Sequence, residues 1–265
     1  MIVIVLMKQV PNTSEVRIDP KTGNLIREGV ESIINPEDRH ALEAALQIKD
    51  ATDCRVIVLS MGPPQAVEIL CEALAMGADQ AILLTDKAFA GADTWATSTT
   101  LGMAIKRIGD FDLILAGRQA VDGDTAQIGP QVAELLGIPQ VTYASKLQVQ
   151  EGKVIVERTI EGACERIESP TPVLVTCLAA LNTPRYPTVA GMLDATSDRA
   201  AIELWNAADI GAKAYEVGLL GSLTQVVKTF TPKEARNTRF LEGSPAEIAV
   251  QLLEAFREKE IRLGE

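Results

Sequence analysis

Residues 112–127, Asp112-Leu113-Ile114-Leu115-Ala116-Gly117-Arg118-Gln119-Ala120-Val121-Asp122-Gly123-Asp124-Thr125-Ala126-Gln127, pass from an aliphatic run through a polar loop toward a helix. The run Asp112–Ala116 carries no polar residue after its first, as a strand covered on both faces requires. The helix is expected from about Ala126 to Leu136. A strand leading through a loop into a helix is the repeating unit of a parallel sheet. Working back toward the start of the chain, the same alternation recurs. Strands are expected at Ile2–Met7, Arg55–Ser60 and Ala81–Thr85. A helix is expected from Pro36 to about Lys49, where Asn35-Pro36-Glu37-Asp38 offers an N-cap residue, a first-turn proline and first-turn acids. A second should follow Pro63-Pro64 and stop at Gly77, whose missing Cβ suits a left-handed cap. A third should run from near Asp93-Thr94 to near Gly109. The fold class is therefore α/β, a parallel sheet flanked by helices.

Beyond Lys146 the period changes. Leu147–Val149 and Val154–Val156 alternate around Glu151-Gly152 and read as a β-hairpin added to the sheet. One more aliphatic strand, Val173–Cys177, follows. Residues 181–195 are rich in proline and glycine, and the main domain is placed at 1–195 on that ground. Residues 196–265 form an extension ending in a C-terminal helical arm. There Ser244-Pro245-Ala246-Glu247 has the pattern of a capping box, and Ile248, Leu252, Leu253 and Phe256 form an apolar stripe.

Composition narrows the function. The chain has 265 residues, 47% hydrophobic and 23% charged, which is enough for a large core. With 25 Lys and Arg against 36 Asp and Glu, the net charge of −11 disfavours a nucleic-acid partner. The apolar opening Met1–Met7 is far shorter than a spanning helix and no basic segment precedes it, so a cytoplasmic protein without a membrane span is expected. Four cysteines without paired spacing read as buried thiols, and a structural metal is not expected. The single histidine, His40, lies inside the first helix and is given no role. With so few candidate nucleophiles and bases, the chemistry should belong to a bound group rather than to catalytic side chains.

Ligands of open parallel sheets bind beyond the carboxyl ends of the strands. The loops to examine are therefore Met7–Asn12, Met61–Pro64, Gly91–Thr94 and Gly117–Gln127. The last ends at a helix N-terminus, whose amides hold an anion without net positive charge. Arg118 could assist, while Asp122 and Asp124 could cap amides or accept ribose hydroxyls. A plain Asp-Gly turn followed by a helix cap accounts for the same residues. Asn35, Asp38 and Asp93 likewise fit simple caps, and Trp95 fits packing.

Five segments in register carry a resemblance. They are Met7–Pro11, Asn35-Pro36 leading into Ala41–Leu46, Ala73–Asp79, Gly117–Pro130, and Asn182-Thr183-Pro184-Arg185-Tyr186. Together they resemble the beta subunit of electron transfer flavoproteins over nearly the whole chain. The resemblance implies a fold of the adenine nucleotide alpha hydrolase kind and a heterodimer with an alpha subunit. It implies a nucleotide site formed by Leu6, by Asn35, Pro36, Glu37 and Asp38, by Met61, and by Gly117, Arg118, Gln119, Ala120, Val121, Asp122, Gly123, Asp124, Thr125, Ala126, Gln127 and Ile128.

The ligand it implies is FAD or, alternatively, AMP held as a structural group. Gly91–Ser98, with Asp93 and Thr94 near the flavin ring, and Val121–Gln127 look like the electron-bifurcating branch. In that branch FAD takes a hydride from NADH and sends electrons both to ferredoxin or flavodoxin and, through the alpha-subunit FAD, to a partner dehydrogenase. An acyl-CoA dehydrogenase is the partner expected first, with a lactate dehydrogenase-type flavoenzyme as the alternative. The segment Pro184–Leu193 resembles the family's docking loop, with Tyr186, Val189, Met192 and Leu193 facing the partner. A stand-alone nucleotide-binding regulatory module remains the reading from a different class.

Overall fold

The structure is a computed structural model that describes residues 1–12, 32–197, 202–227 and 238–259. In chain order its elements are β1 (Ile2–Met7), β2 (Gln9–Pro11), β3 (Ser32–Ile34), α1 (Pro36–Ala51), β4 (Arg55–Met61), α2 (Val67–Met76) and β5 (Gln80–Leu84). There follow α3 (Thr94–Ile108), β6 (Leu113–Gly117), α4 (Ile128–Leu136), β7 (Gln140–Gln150), β8 (Lys153–Ile160), β9 (Ala163–Pro170) and β10 (Val173–Cys177). The last are α5 (Val189–Ser197), β11 (Ile202–Trp205), α6 (Gly218–Gly221) and α7 (Pro245–Glu258).

One sheet has the strand order β11-β5-β4-β1-β6-β10-β7-β8-β9, and a separate pair joins β2 to β3. Pairing is parallel from β11 to β7 and antiparallel through β7, β8 and β9. Successive residues of a strand point to opposite faces, so β1 feeds two cores. Val3, Val5 and Met7 pack with Leu42, Leu46 and Leu70 of α1 and α2. Ile4 and Leu6 pack with Leu101, Ile105 and Val132 of α3 and α4. Because helices cover both faces, β1, β4, β6 and β10 have to be continuous aliphatic runs, and that continuity is what made them readable.

The helix boundaries follow local chemistry. The Asp93 carboxylate accepts the Ala96 amide at 3.0 Å and starts α3. Gly77 ends α2 at φ 125°, and Gly137 ends α4 in the left-handed region. Four expectations need correcting. Helix α4 begins at Ile128 rather than Ala126, because Ala126 itself sits at φ 53° and cannot belong to a right-handed helix. The expected hairpin is the middle of a three-stranded meander: Leu147 pairs with Val156 and Val149 with Val154, and β9 then pairs along all of β8. Residues 189–197 form helix α5, where only a proline- and glycine-rich segment was expected; it packs closely on α2, and a Cβ on Gly191 would collide with the Ala75 carbonyl. Finally, the sheet takes its edge strand β11 from beyond residue 195, where the sequence placed the domain's end.

Two compact units are present, Met1–Val227 and Lys228–Glu265. In the second, α7 starts with the expected capping box, in which Ser244 and Glu247 satisfy each other's backbone amides. None of its side chains is buried, including the Ile248–Phe256 stripe. Residues 228–237 and 260–265 of the expected arm lie outside the described residues. Among the described residues no helix is long and apolar enough to cross a membrane.

Candidate functional site

From β1 the chain moves through β4 to β5, with α1 and α2 on one face; from β6 it moves the other way, with α3 and α4 on the opposite face. The strand order therefore reverses between β1 and β6, and a crevice opens at their carboxyl ends. A cleft of about 1680 Å³ occupies that place. Leu6, Asp38, Met61, Asp93, Thr94 and most of the 117–128 loop line it. Asn35, Pro36, Glu37, Val121 and Asp124 are not part of the lining; of these, Asn35 is buried and Val121 is exposed.

The first turn of α1 builds the floor. Asp38 is buried, and its two carboxylate oxygens accept the amide of Lys8 at 2.8 Å and that of Gly117 at 3.1 Å. One side chain thereby ties the ends of β1 and β6 together. The approach is so close that a Cβ on Gly117 would collide with the Asp38 carboxylate, so only glycine fits. Burial pushes the Asp38 carboxyl up to about 7, partly offset by donors from Asn35, Lys8 and Gly117.

Two neighbours hold the loop itself. Asn35 is fully buried, donates to the Gln119 carbonyl at 2.9 Å and accepts the Val121 amide at 3.1 Å. Glu37 accepts the Gln119 amide at 2.9 Å and pairs with Arg118 at 3.1 Å. The capping reading of Asn35 and Asp38 is thus overturned. The Asn35 side chain makes no cap bond to its own helix; it bonds the Asp38 side chain, and both residues also hold backbone groups far away in the chain.

The loop folds on itself over that base. The amides of Gly123 and Asp124 both bond the Ala120 carbonyl, and Gln119 donates to Asp124 at 2.8 Å. Asp124 and Ala126 take positive φ, 47° and 53°, which costs a non-glycine residue on the order of 1–3 kcal/mol. That strain aims the chain into α4, whose N-cap Gln127 makes no side-chain cap, so that the first amides of the helix have no side-chain partner there. Gln127 accepts instead from Thr94 at 2.9 Å, joining the start of α3 to that of α4. Asp122 pairs with Lys8 at 2.7 Å across the crevice.

Asp93 does not present its carboxylate to the cleft. One oxygen caps α3, and the other accepts the Thr224 amide at 2.9 Å and its hydroxyl at 3.0 Å. Although burial acts the other way, these donors hold Asp93 below the usual carboxylate range. Arg118 is the converse case. It lines the cleft, its guanidinium is held by Glu37, and its Nε is buried without a partner.

Sequence reading missed Lys8, which spans the crevice, and Thr224, which completes its rim. Lys8 lies in the loop after β1 but has no motif of its own. Thr224 is 131 residues from the aspartate that holds it, so no local pattern could reveal it. Among the described residues no cluster of metal-ligating side chains occurs.

A second region stands apart from the cleft. Tyr186, Val189, Met192 and Leu193 are exposed, Tyr186 by 86%. The segment that carries them is clamped to α1. Arg185 bonds the buried Glu43 through its backbone amide at 3.0 Å and Nε at 2.9 Å, and reaches Asp50 at 2.6 Å. Beside it, Asn182 and His40 exchange hydrogen bonds, the Asn182 amide donating to the His40 carbonyl at 2.9 Å.

Residues 22–210 match the model of the electron transfer flavoprotein domain. The chain is 51% identical to the caffeyl-CoA reductase-Etf complex subunit CarD of Acetobacterium woodii, over 98% of this chain and 99% of that one. It is 50% identical to the electron transfer flavoprotein subunit beta of Thermoanaerobacterium thermosaccharolyticum, with the same two coverages. It is 40% identical, again over 98% and 99%, to the acryloyl-CoA reductase electron transfer subunit gamma of Anaerotignum propionicum. A cleft at the switch point of a parallel sheet and full-length similarity of this degree agree: the chain belongs to the electron transfer flavoprotein family, as a beta subunit.

Proposed function

We propose that the cleft between β1 and β6 binds FAD, that this flavin accepts hydride from NADH, and that the protein bifurcates the electrons. The observation that carries the reading is the cleft itself. At about 1680 Å³ it exceeds the roughly 300–1,000 Å³ of ordinary small-molecule pockets. Its wall joins a helix N-terminus to the Arg118 side chain, a donor set suited to a pyrophosphate.

The residues present fit the group. The Ile128 and Gly129 amides and Arg118 would hold its phosphates, while Gly123, Thr125, Ala126 and Gln127 would follow its length. Asn35, Glu37, Asp38 and Asp93 would act by fixing the loops. Once bound, the flavin supplies acceptance of hydride from NADH and release of its two electrons singly, one to ferredoxin or flavodoxin and one to the alpha-subunit FAD, with the proton passing to solvent. The chain's own side chains position, exclude water and leave the redox chemistry to that group.

The docking face would be Tyr186, Val189, Met192 and Leu193. Two relatives are named as subunits serving CoA-ester reductases, which supports an acyl-CoA dehydrogenase-type partner. The exposed stripe of α7 supports a C-terminal arm that packs on the alpha subunit. Four unpaired cysteines are consistent with a cytoplasmic site. The test is the nucleotide released on denaturing the co-purified heterodimer. Two FAD per heterodimer is the expected result; one FAD with one AMP overturns the reading in favour of a structural nucleotide.

A further inference from the structure

The acid on the cleft floor has a consequence for binding. Asp38 lies beneath the crevice that a nucleotide must enter, and its oxygens are engaged by two backbone amides and the Asn35 side chain, none of them a cation. We infer that filling this cleft with an anionic nucleotide draws a proton from solvent onto Asp38, so that nucleotide affinity is coupled to pH through this one carboxylate. The inference rests on the nucleotide reading of the cleft.

Two effects act in the same direction. A bound ligand displaces water from above Asp38, and loss of solvation disfavours the charged form of a carboxyl group. The ligand's phosphates also bring negative charge into the same low-dielectric space, which disfavours a second anion there. Asp38 starts near the point of change, because burial already holds it at about 7. A modest further rise then converts it from about half protonated to mostly protonated at neutral pH.

The surrounding charges leave Asp38 as the group that responds. From the end of β1 comes Lys8, whose ammonium is committed to Asp122 at 2.7 Å and 2.8 Å. From its own helix comes Glu37, paired with Arg118 from the end of β6. From β10 comes the Cys177 thiol, which burial, together with Asp38 and Glu37, pushes far up and keeps protonated. Each of these is either matched or neutral.

Calorimetric titration of the full chain in complex with its alpha subunit, depleted of the nucleotide in this cleft, provides the test. FAD is the titrant, with AMP in parallel, in buffers of different ionisation enthalpy at pH 6, 7 and 8. The expected result is uptake of most of one proton at pH 8 and much less at pH 6. The dissociation constant should rise severalfold between pH 7 and 8, the limit being about tenfold per pH unit for one proton. In Asp38→Asn the uptake should disappear. Heats independent of buffer at all three pH values overturn the inference even if the variant cannot be made, as does equal uptake in a folded Asp38→Asn protein. Failure of both nucleotides to bind at any pH overturns the nucleotide reading itself, and the inference with it.

Discussion

Asp38 is where sequence reasoning and structure part most instructively. Its place three residues after Asn35, at a helix start, looks like a cap, yet its oxygens serve two strand ends. The difference is invisible locally because Lys8 and Gly117 lie 30 and 79 residues away. The same burial sets a pH dependence of stability. The folded-state value of about 7 lies above the ordinary 3.8, so between these the native protein binds more protons than the unfolded chain. The contribution of Asp38 is therefore fully present below pH 3.8 and is lost as pH rises through 7. Urea unfolding of the wild-type complex should show this group lowering stability from pH 5 to 8, by at most about 1.4 kcal/mol per pH unit. In Asp38→Asn that component should be missing, so the two curves should lie closest at low pH, where Asp38 is protonated in both states, and separate as pH rises toward 8. Parallel curves across the range would count against a titrating Asp38.

At the scale of elements, helix α1 joins two places that the sequence treats separately. Its first turn holds the cleft loop through Asn35, Glu37 and Asp38, while Glu43 and Asp50 hold Arg185 at the base of the exposed Tyr186–Leu193 segment. The pair Glu43–Arg185 is buried on the acid's side and about a third exposed on the guanidinium's. Breaking it should cost less than the ~3–5 kcal/mol of a fully buried pair. Glu43→Gln removes the charge and keeps the shape. Trypsin should then cleave after Arg185 several times faster than in the wild-type complex, since the clamp no longer shields that bond. Equal cleavage rates would mean that the segment is held by α5 packing on α2 alone. Helix α1 and the aliphatic strands were legible because a cap pattern and continuous apolar runs are local signals. Strand β9 was not, since Glu165-Arg166-Ile167-Glu168 looks like surface until Lys153–Glu168 and Arg158–Glu165 join it to β8.

For the molecule as a whole, the division at Val227 separates a part with complete cores from one in which no side chain of its helix α7, among the described residues, is buried. Strands β1, β4, β5, β6 and β10, with helices α1–α4, fill both faces of the sheet within Met1–Val227. By contrast α7 buries no side chain and leaves Val250, Leu252 and Leu253 exposed. An isolated helix of 14 residues is marginal in water, so its stability has to come from a surface against which the stripe can pack. The first unit also ends in exposed hydrophobes, Leu219, Leu220, Leu223, Val226 and Val227. Together these make an arm that clasps another chain the economical reading of the carboxyl-terminal sequence. Truncation after Val227 should then leave the α/β unit folded, with its far-ultraviolet circular dichroism and cooperative unfolding retained. Its affinity for the alpha subunit should fall by at least tenfold, about 1.4 kcal/mol, because a helix-sized apolar face is lost from the interface. Analytical ultracentrifugation of the truncated chain with the alpha subunit measures this directly. An unchanged heterodimer affinity would assign the arm to a different surface, while loss of cooperative unfolding would mean that the first unit needs the arm to complete its own fold.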